Sequence, residues 1–97
     1  MIFNKKFPFK DVPNTLCFTC CHVLDDHQPI LYVSHDKDGC WQFLCGQNHS
    51  QEAARVVSLA EILNVDKNIS KLAGLKRGEY AQLQDNKRKW IVFKKNL

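Results

Sequence analysis

The sequence predicts a small α+β domain: a mostly antiparallel sheet of about five strands, with one or two short helices on one face. Three observations point there. The first half alternates short segments rich in β-branched and aromatic residues with Asp, Gly and Pro turn signals, the pattern of paired strands. The period changes at Ser58, where a helix-start signal opens an apolar stripe at helical spacing. A last pair of apolar segments flanks Asp85-Asn86 and reads as a closing hairpin.

Each element has a local reason. Residues 1–13 read as an extended arm, because Pro8 and Pro13 lack amide donors and bias their neighbours towards extended backbone. Phe3, Phe7 and Phe9 are expected to pin the arm to the body, since three exposed phenylalanines would be costly. Thr15 to Val23 reads as a strand, and Asp25 to Pro29 as a turn. Ile30 to Ser34 is the second strand. His35-Asp36-Lys37-Asp38-Gly39 is a hairpin turn, with Asp-Gly its signal. Cys40 to Cys45 is the third strand, ended by Gly46. Three consecutive strands with short turns predict an antiparallel meander.

Past residue 50 the chain becomes helical in places. Ser50 to Ala54 reads as one helical turn and Arg55-Val56-Val57 as a short extended piece. Ser58-Leu59-Ala60-Glu61 is a capping box. It opens a helix over about 59–64 with Leu59, Ile62 and Leu63 on the buried face. Asp66 to Leu72 reads as a second short helix, and residues 79–83 and 89–93 as the final hairpin.

The 97 residues suffice for a single domain spanning 1–97 and are too few for two. No apolar run approaches the roughly 18 residues of a membrane span, so no membrane partner is expected. Met1 to Phe9 lacks a continuous apolar core and a small-residue cleavage site. A cytoplasmic protein is therefore expected. Five cysteines are an odd number with nothing directing export, which favours reduced thiols or metal ligands over a disulfide framework.

The formal charge of +4 is uneven. Residues 1–50 carry four lysines against five aspartates, and residues 51–97 carry ten Lys/Arg against five Asp/Glu. The excess sits near the C-terminal end, at Lys87, Arg88, Lys89, Lys94 and Lys95. Interleaved with Trp90 and Phe93, these side chains are the candidates for stacking bases and neutralising phosphates. The plainer reading is a core strand, apolar on both faces, with its lysines at the ends.

Zinc is the sharpest chemical hypothesis. Cys17-x-x-Cys20 and Cys40-x4-Cys45 are two thiol pairs, and four thiolates complete a tetrahedron. His22, His27, His35 and His49 are available as replacement ligands. Against this, neither pair has a Gly or Pro between its cysteines, and both lie in strand-like segments. Alternation puts Cys17 opposite Cys20 and Cys40 opposite Cys45. Cys20 then shares a face with Leu16, Phe18 and His22, and Cys45 with Trp41 and Phe43. Buried cysteines acting as small hydrophobes are the structural alternative. A Cys–His nucleophile, from Cys20 or Cys45 with His22, His35 or His49, has no local signature to support it. Asp36-x-Asp38-Gly39 is too short for a calcium loop, and no glycine-rich phosphate loop is present.

One stretch carries a resemblance. Asn14-Thr15, Phe18-Thr19-Cys20, His22-Val23, residues 29–36, and Asp38-Gly39-x-Trp41-Gln42-Phe43-Leu44-Cys45-Gly46 resemble a group of uncharacterised short bacterial proteins. Those in turn are similar to a divergent branch of an immunity-protein-like domain family. Ser58 to Leu63, Asp66, Ile69 and the Gly78 to Tyr80 step extend the likeness over about residues 14–80. The resemblance implies a non-catalytic protein-binding domain that neutralises a cognate toxin by occluding its cleft, with no cofactor. The candidate contacts are His35, Asp36, Asp38, Trp41, Asn48 and His49, on or beside the turns. The chain departs from the family where Gln47-Asn48-His49 replaces acidic residues. Cys17, Cys21 and Cys40 fall outside the shared pattern, which leaves Cys20, His22, Cys45 and His49 as the set for a zinc alternative.

Overall fold

Leu16–Cys20, Tyr32–His35, Trp41–Leu44, Ala54–Ser58, Glu79–Gln84 and Lys89–Lys94 form strands β1 to β6 of one sheet in a computed structural model that describes residues 7–46, 51–84 and 89–94. Helix α1 covers Cys21–Leu24 and α2 covers Leu59–Val65. Gln51–Ala53 and Lys67–Leu72 form 3₁₀ turns. The sheet order is β4-β1-β3-β2-β5-β6.

The α+β class stands, but the sheet is not the mostly antiparallel five-stranded meander expected. Six strands are paired among the described residues, and β1 runs parallel to β3. The reason lies in the connection after β1. The strand expected through Val23 ends at Cys20, the chain enters α1 directly at Cys21, and residues 21–31 carry it past one strand position. His27 takes a positive φ of 56° within that connection. Strand β2 is laid down two places away, and β3 folds back into the gap. Residues 55–57, expected as a short extended piece, lie within a full edge strand antiparallel to β1, from Leu16↔Ser58 to Cys20↔Ala54.

The β2–β3 hairpin forms where the Asp-Gly signal placed it. The Asp36 amide donates to the Cys40 carbonyl at 2.8 Å, and the Gly39 amide donates to the Asp36 carbonyl at 2.9 Å. Asp38 Oδ1 accepts from the Cys40 amide at 3.0 Å. Gly39 has φ +94°, a conformation that glycine reaches without steric cost.

Helix α2 starts at the predicted capping box. Ser58 Oγ accepts from the Glu61 amide at 3.1 Å, and Glu61 Oε1 accepts from the Ser58 amide at 3.0 Å. The amides of Leu59 and Ala60 donate to the carbonyls of Thr15 and Pro13. The first turn is thus satisfied partly by the arm, which a helix of seven residues needs because it is too short to persist alone.

The core lies on the sheet face covered by α2 and the second 3₁₀ turn. Cys17, Val33, Trp41, Phe43 and Ala81 meet Leu59, Ile62, Ile69 and Leu72 there. Phe9 closes one side, its ring edge-on to Trp41 at 5.0 Å, and Phe7 packs against the core, as expected of the arm, while Phe3 lies outside the described residues. The closing strand departs from expectation. β6 is an edge strand, and Val92 and Phe93 are 50% and 38% exposed. It is not a strand buried on both faces, because nothing packs beyond it among the described residues.

Candidate metal centre

The parallel pair brings two strand ends together. β1 and β3 point the same way, so their last residues and the segments after them share one end of the sheet. A buried hydrogen bond clamps the pair: Thr19 Oγ1 donates to the Phe43 carbonyl at 2.6 Å. Cys20 is the last residue of β1, His22 lies in the single turn of α1 that follows, and Cys45 comes directly after β3. In a meander, β2 would separate the two cysteines.

One ligand atom from each of Cys20, His22 and Cys45 lies within 4.8 Å of the others. His22 Nδ1 is 3.8 Å from Cys45 Sγ. Tetrahedral zinc, with bonds of about 2.3 Å to sulfur and about 2.0 Å to nitrogen, has donor–donor edges of roughly 3.5 to 3.8 Å. The three donors, within 4.8 Å of one another, therefore need to close by about 1.3 Å at most, which is within the reach of side-chain rotation. Cys20 and Cys45 are 1% and 3% exposed, and His22 is half-buried. Zinc ligation by this set would require deprotonated thiols and an unprotonated Nδ1. His49 lies outside the described residues.

The other cysteines do not join them. Burial pushes the Cys17 thiol up to about 12, and the Glu61 carboxylate adds to the shift. It is a core hydrophobe and a poor thiolate. The Cys40 thiol is also raised, first by its hydrogen bond to Asp38, with burial and the charges of Asp38 and Asp36 adding. Among the described residues the cluster holds two thiols, Cys20 and Cys45, and not the four of the four-thiolate reading. Strand alternation also misjudged Cys20. Leu16 and Phe18 are exposed as its face-mates, yet Cys20 is buried because the chain turns into α1 at that residue. Cys45 does share a buried face with Trp41 and Phe43.

The binding residues expected from the turns divide into two groups. Asp36 accepts from Ser34 Oγ at 2.6 Å and from Gln42 Nε2 at 2.8 Å, and Asp38 shapes the hairpin. His35 and Trp41 lie on the opposite, inner face, paired across β2 and β3 and stacked at 3.8 Å. Trp41 is 1% exposed, so it offers no outer contact surface and instead lines a cavity. Asn48 lies outside the described residues, as do Lys87, Arg88 and Lys95. Lys89 and Lys94 are exposed at the two ends of β6. No helix among the described residues is long and apolar enough to cross a membrane.

The segment 73–77, where the sequence shows only a helix stop near Gly74 and a turn over residues 75–78, forms the cavity wall beside Trp41. The adjacent cations Lys76 and Arg77 were the available signal for it. No family model matches the chain, and no curated protein or solved structure matches it.

Proposed function

We propose that this chain is a small non-catalytic module that binds one zinc ion through Cys20, His22 and Cys45. The observation that supports it is the convergence of these three donors at the ends of the parallel strands. Two sulfurs and one imidazole nitrogen suit zinc better than calcium or magnesium, which take oxygen ligands. In this reading the three residues tie β1, α1 and the end of β3 into one rigid corner. Bound zinc supplies cross-linking of that corner, and the protein supplies burial of the two thiolates. None of the three donors lines the cavity beside Trp41, and a closed structural site needs a fourth ligand, for which His49 is the candidate from the sequence.

The test is metal analysis of protein purified without chelators. Near-stoichiometric zinc is expected, lost in Cys20→Ser, His22→Ala and Cys45→Ser and retained in Cys40→Ser. Removing the ion should destabilise the fold by about 4 kcal/mol when zinc had been present at a thousandfold excess over its Kd. Trace metal in the folded parent protein would overturn the reading.

A second reading is an immunity-like domain that neutralises a toxin by protein binding. The sequence resemblance supports it, as does one surface. Leu16, Phe18 and Val56 are 68%, 43% and 54% exposed and adjoin across β1 and β4. A contiguous exposed apolar patch is characteristic of a protein contact. Capture of one stoichiometric protein by the parent chain, lost on Phe18→Asp, is the outcome that supports it. Equal capture by both chains counts against it.

A further inference from the structure

A second site lies on the inner side of the sheet, where the sequence motif and the cavity meet. A cavity of about 340 Å³ is lined by Lys10 and Asp11 of the arm, His35 and Trp41 of the hairpin, and residues 73–77. That volume falls in the range of small-molecule pockets. The side chains are a mixed set with an excess of cations. Lys10, Lys76 and Arg77 stand against Asp11 alone, so the lining carries two net positive charges. A neighbouring depression shares Lys76 and Arg77 and adds Lys37 and Lys94 against Glu79, so the positive field extends beyond the mouth.

Two of the residues that line the cavity carry polar ring atoms. The Trp41 indole N–H is buried and has no hydrogen-bond partner among the described residues. Buried donors are ordinarily paired, and an acceptor within the cavity that this ring lines would pair it. His35 is held against the same ring. Its Nδ1 lies 2.8 Å from the Leu75 carbonyl. A carbonyl only accepts, so Nδ1 carries the hydrogen and Nε2 keeps the ring's remaining capacity.

The Asp38-Gly39 turn belongs to this arrangement. A side-chain carbon at position 39 would come within 3.0 Å of the Arg77 guanidinium. The bare glycine gives that guanidinium room to lie against the turn. Gly39 therefore serves both the backbone conformation and the placement of a cation at the cavity.

We infer that this cavity binds a small organic dianion, a phosphate monoester or a dicarboxylate. The charge count carries the choice of class. A lining of net +2 matches a dianion better than a neutral or singly charged ligand, and Arg77 offers a planar fork for an oxyanion. A phosphate monoester carries nearly two negative charges at neutral pH. The volume favours a free small molecule over a single side chain of a partner protein. This site stands independently of the zinc reading.

The test is calorimetric titration of the full chain at low salt with phenyl phosphate, with succinate, and with phenol as the neutral control. At least one dianion is expected to saturate with a Kd of about 1 mM or tighter, and phenol is expected not to bind. Added salt weakens the interaction. The double variant Lys76→Gln/Arg77→Gln changes two exposed side chains and is expected to bind at least about tenfold more weakly. Trp41→Phe, which keeps a ring and removes the N–H, weakens binding as well, and the distant Lys67→Gln leaves it unchanged. The stronger dianion identifies the ligand class. No saturation by either dianion, equal binding by the double variant, or phenol binding as tightly as phenyl phosphate would overturn the inference.

Discussion

His22 Nδ1 lies 3.8 Å from Cys45 Sγ although the two residues are 23 positions apart in the chain. The contact exists because β3 lies beside β1 and runs parallel to it. Cys20 then ends one strand as Cys45 follows the other, and the short helix α1 presents His22 to both. The topology, more than any local motif, makes the thiol–imidazole cluster.

The clamp on that parallel pair has a measurable share in this. Thr19 Oγ1 donates to the Phe43 carbonyl in the buried interior. Thr19→Val keeps the shape and removes the donor, and should cost about 1–2 kcal/mol in chemical denaturation. Zinc affinity should fall with it, because the same contact sets the spacing of Cys20 and Cys45. Ser58→Ala breaks the capping box of α2 at a cost of about 1 kcal/mol, with zinc affinity unchanged.

Gly39 resists a side chain through its backbone conformation. At φ +94° an alanine is strained, and its Cβ would meet the Arg77 guanidinium. Gly39→Ala should lower stability by at least about 1 kcal/mol. Thermal denaturation checks this, and an unchanged midpoint would contradict the turn geometry.

The Cys17 thiol sets an alkaline limit. Its pKa rises from 9.0 to about 12 on folding, through burial first and the Glu61 carboxylate second. The folded state holds this proton more tightly than the unfolded state does. The contribution to stability is therefore complete below pH 9 and is lost as the pH rises from 9 towards 12. Denaturation midpoints should fall over that window, and Cys17→Ala should flatten the slope. Iodoacetamide should leave Cys17 unmodified in the folded protein near neutral pH, read by peptide mass spectrometry.

Much of this was legible in the chain where the signal is local. The Ser58–Glu61 box, the Asp38-Gly39 turn, the β5–β6 hairpin and the pinning of Phe9 each depend on a few adjacent residues. The strand order was not. A segment such as Leu16 to Cys20 has the same period-2 pattern in a parallel or an antiparallel pair. Its neighbour is decided by the connection through α1, where nothing in residues 21–31 marks a crossover. The cluster of Cys20, His22 and Cys45 was partly legible, because the resemblance left these three, together with His49, apart from Cys17, Cys21 and Cys40. Strand alternation argued against it, since that rule lapses at Cys20, where the strand gives way to a helix. The cavity beside Trp41 was hidden for a related reason. The arm, the hairpin and the 73–77 loop that line it are far apart in sequence.

X-ray absorption spectroscopy of the zinc-loaded chain tests the central claim most directly. The account predicts two sulfur scatterers at about 2.3 Å and at least one imidazole nitrogen at about 2.0 Å, with one sulfur lost in Cys45→Ser. A shell of oxygen and nitrogen alone, or one of four sulfurs, would contradict it.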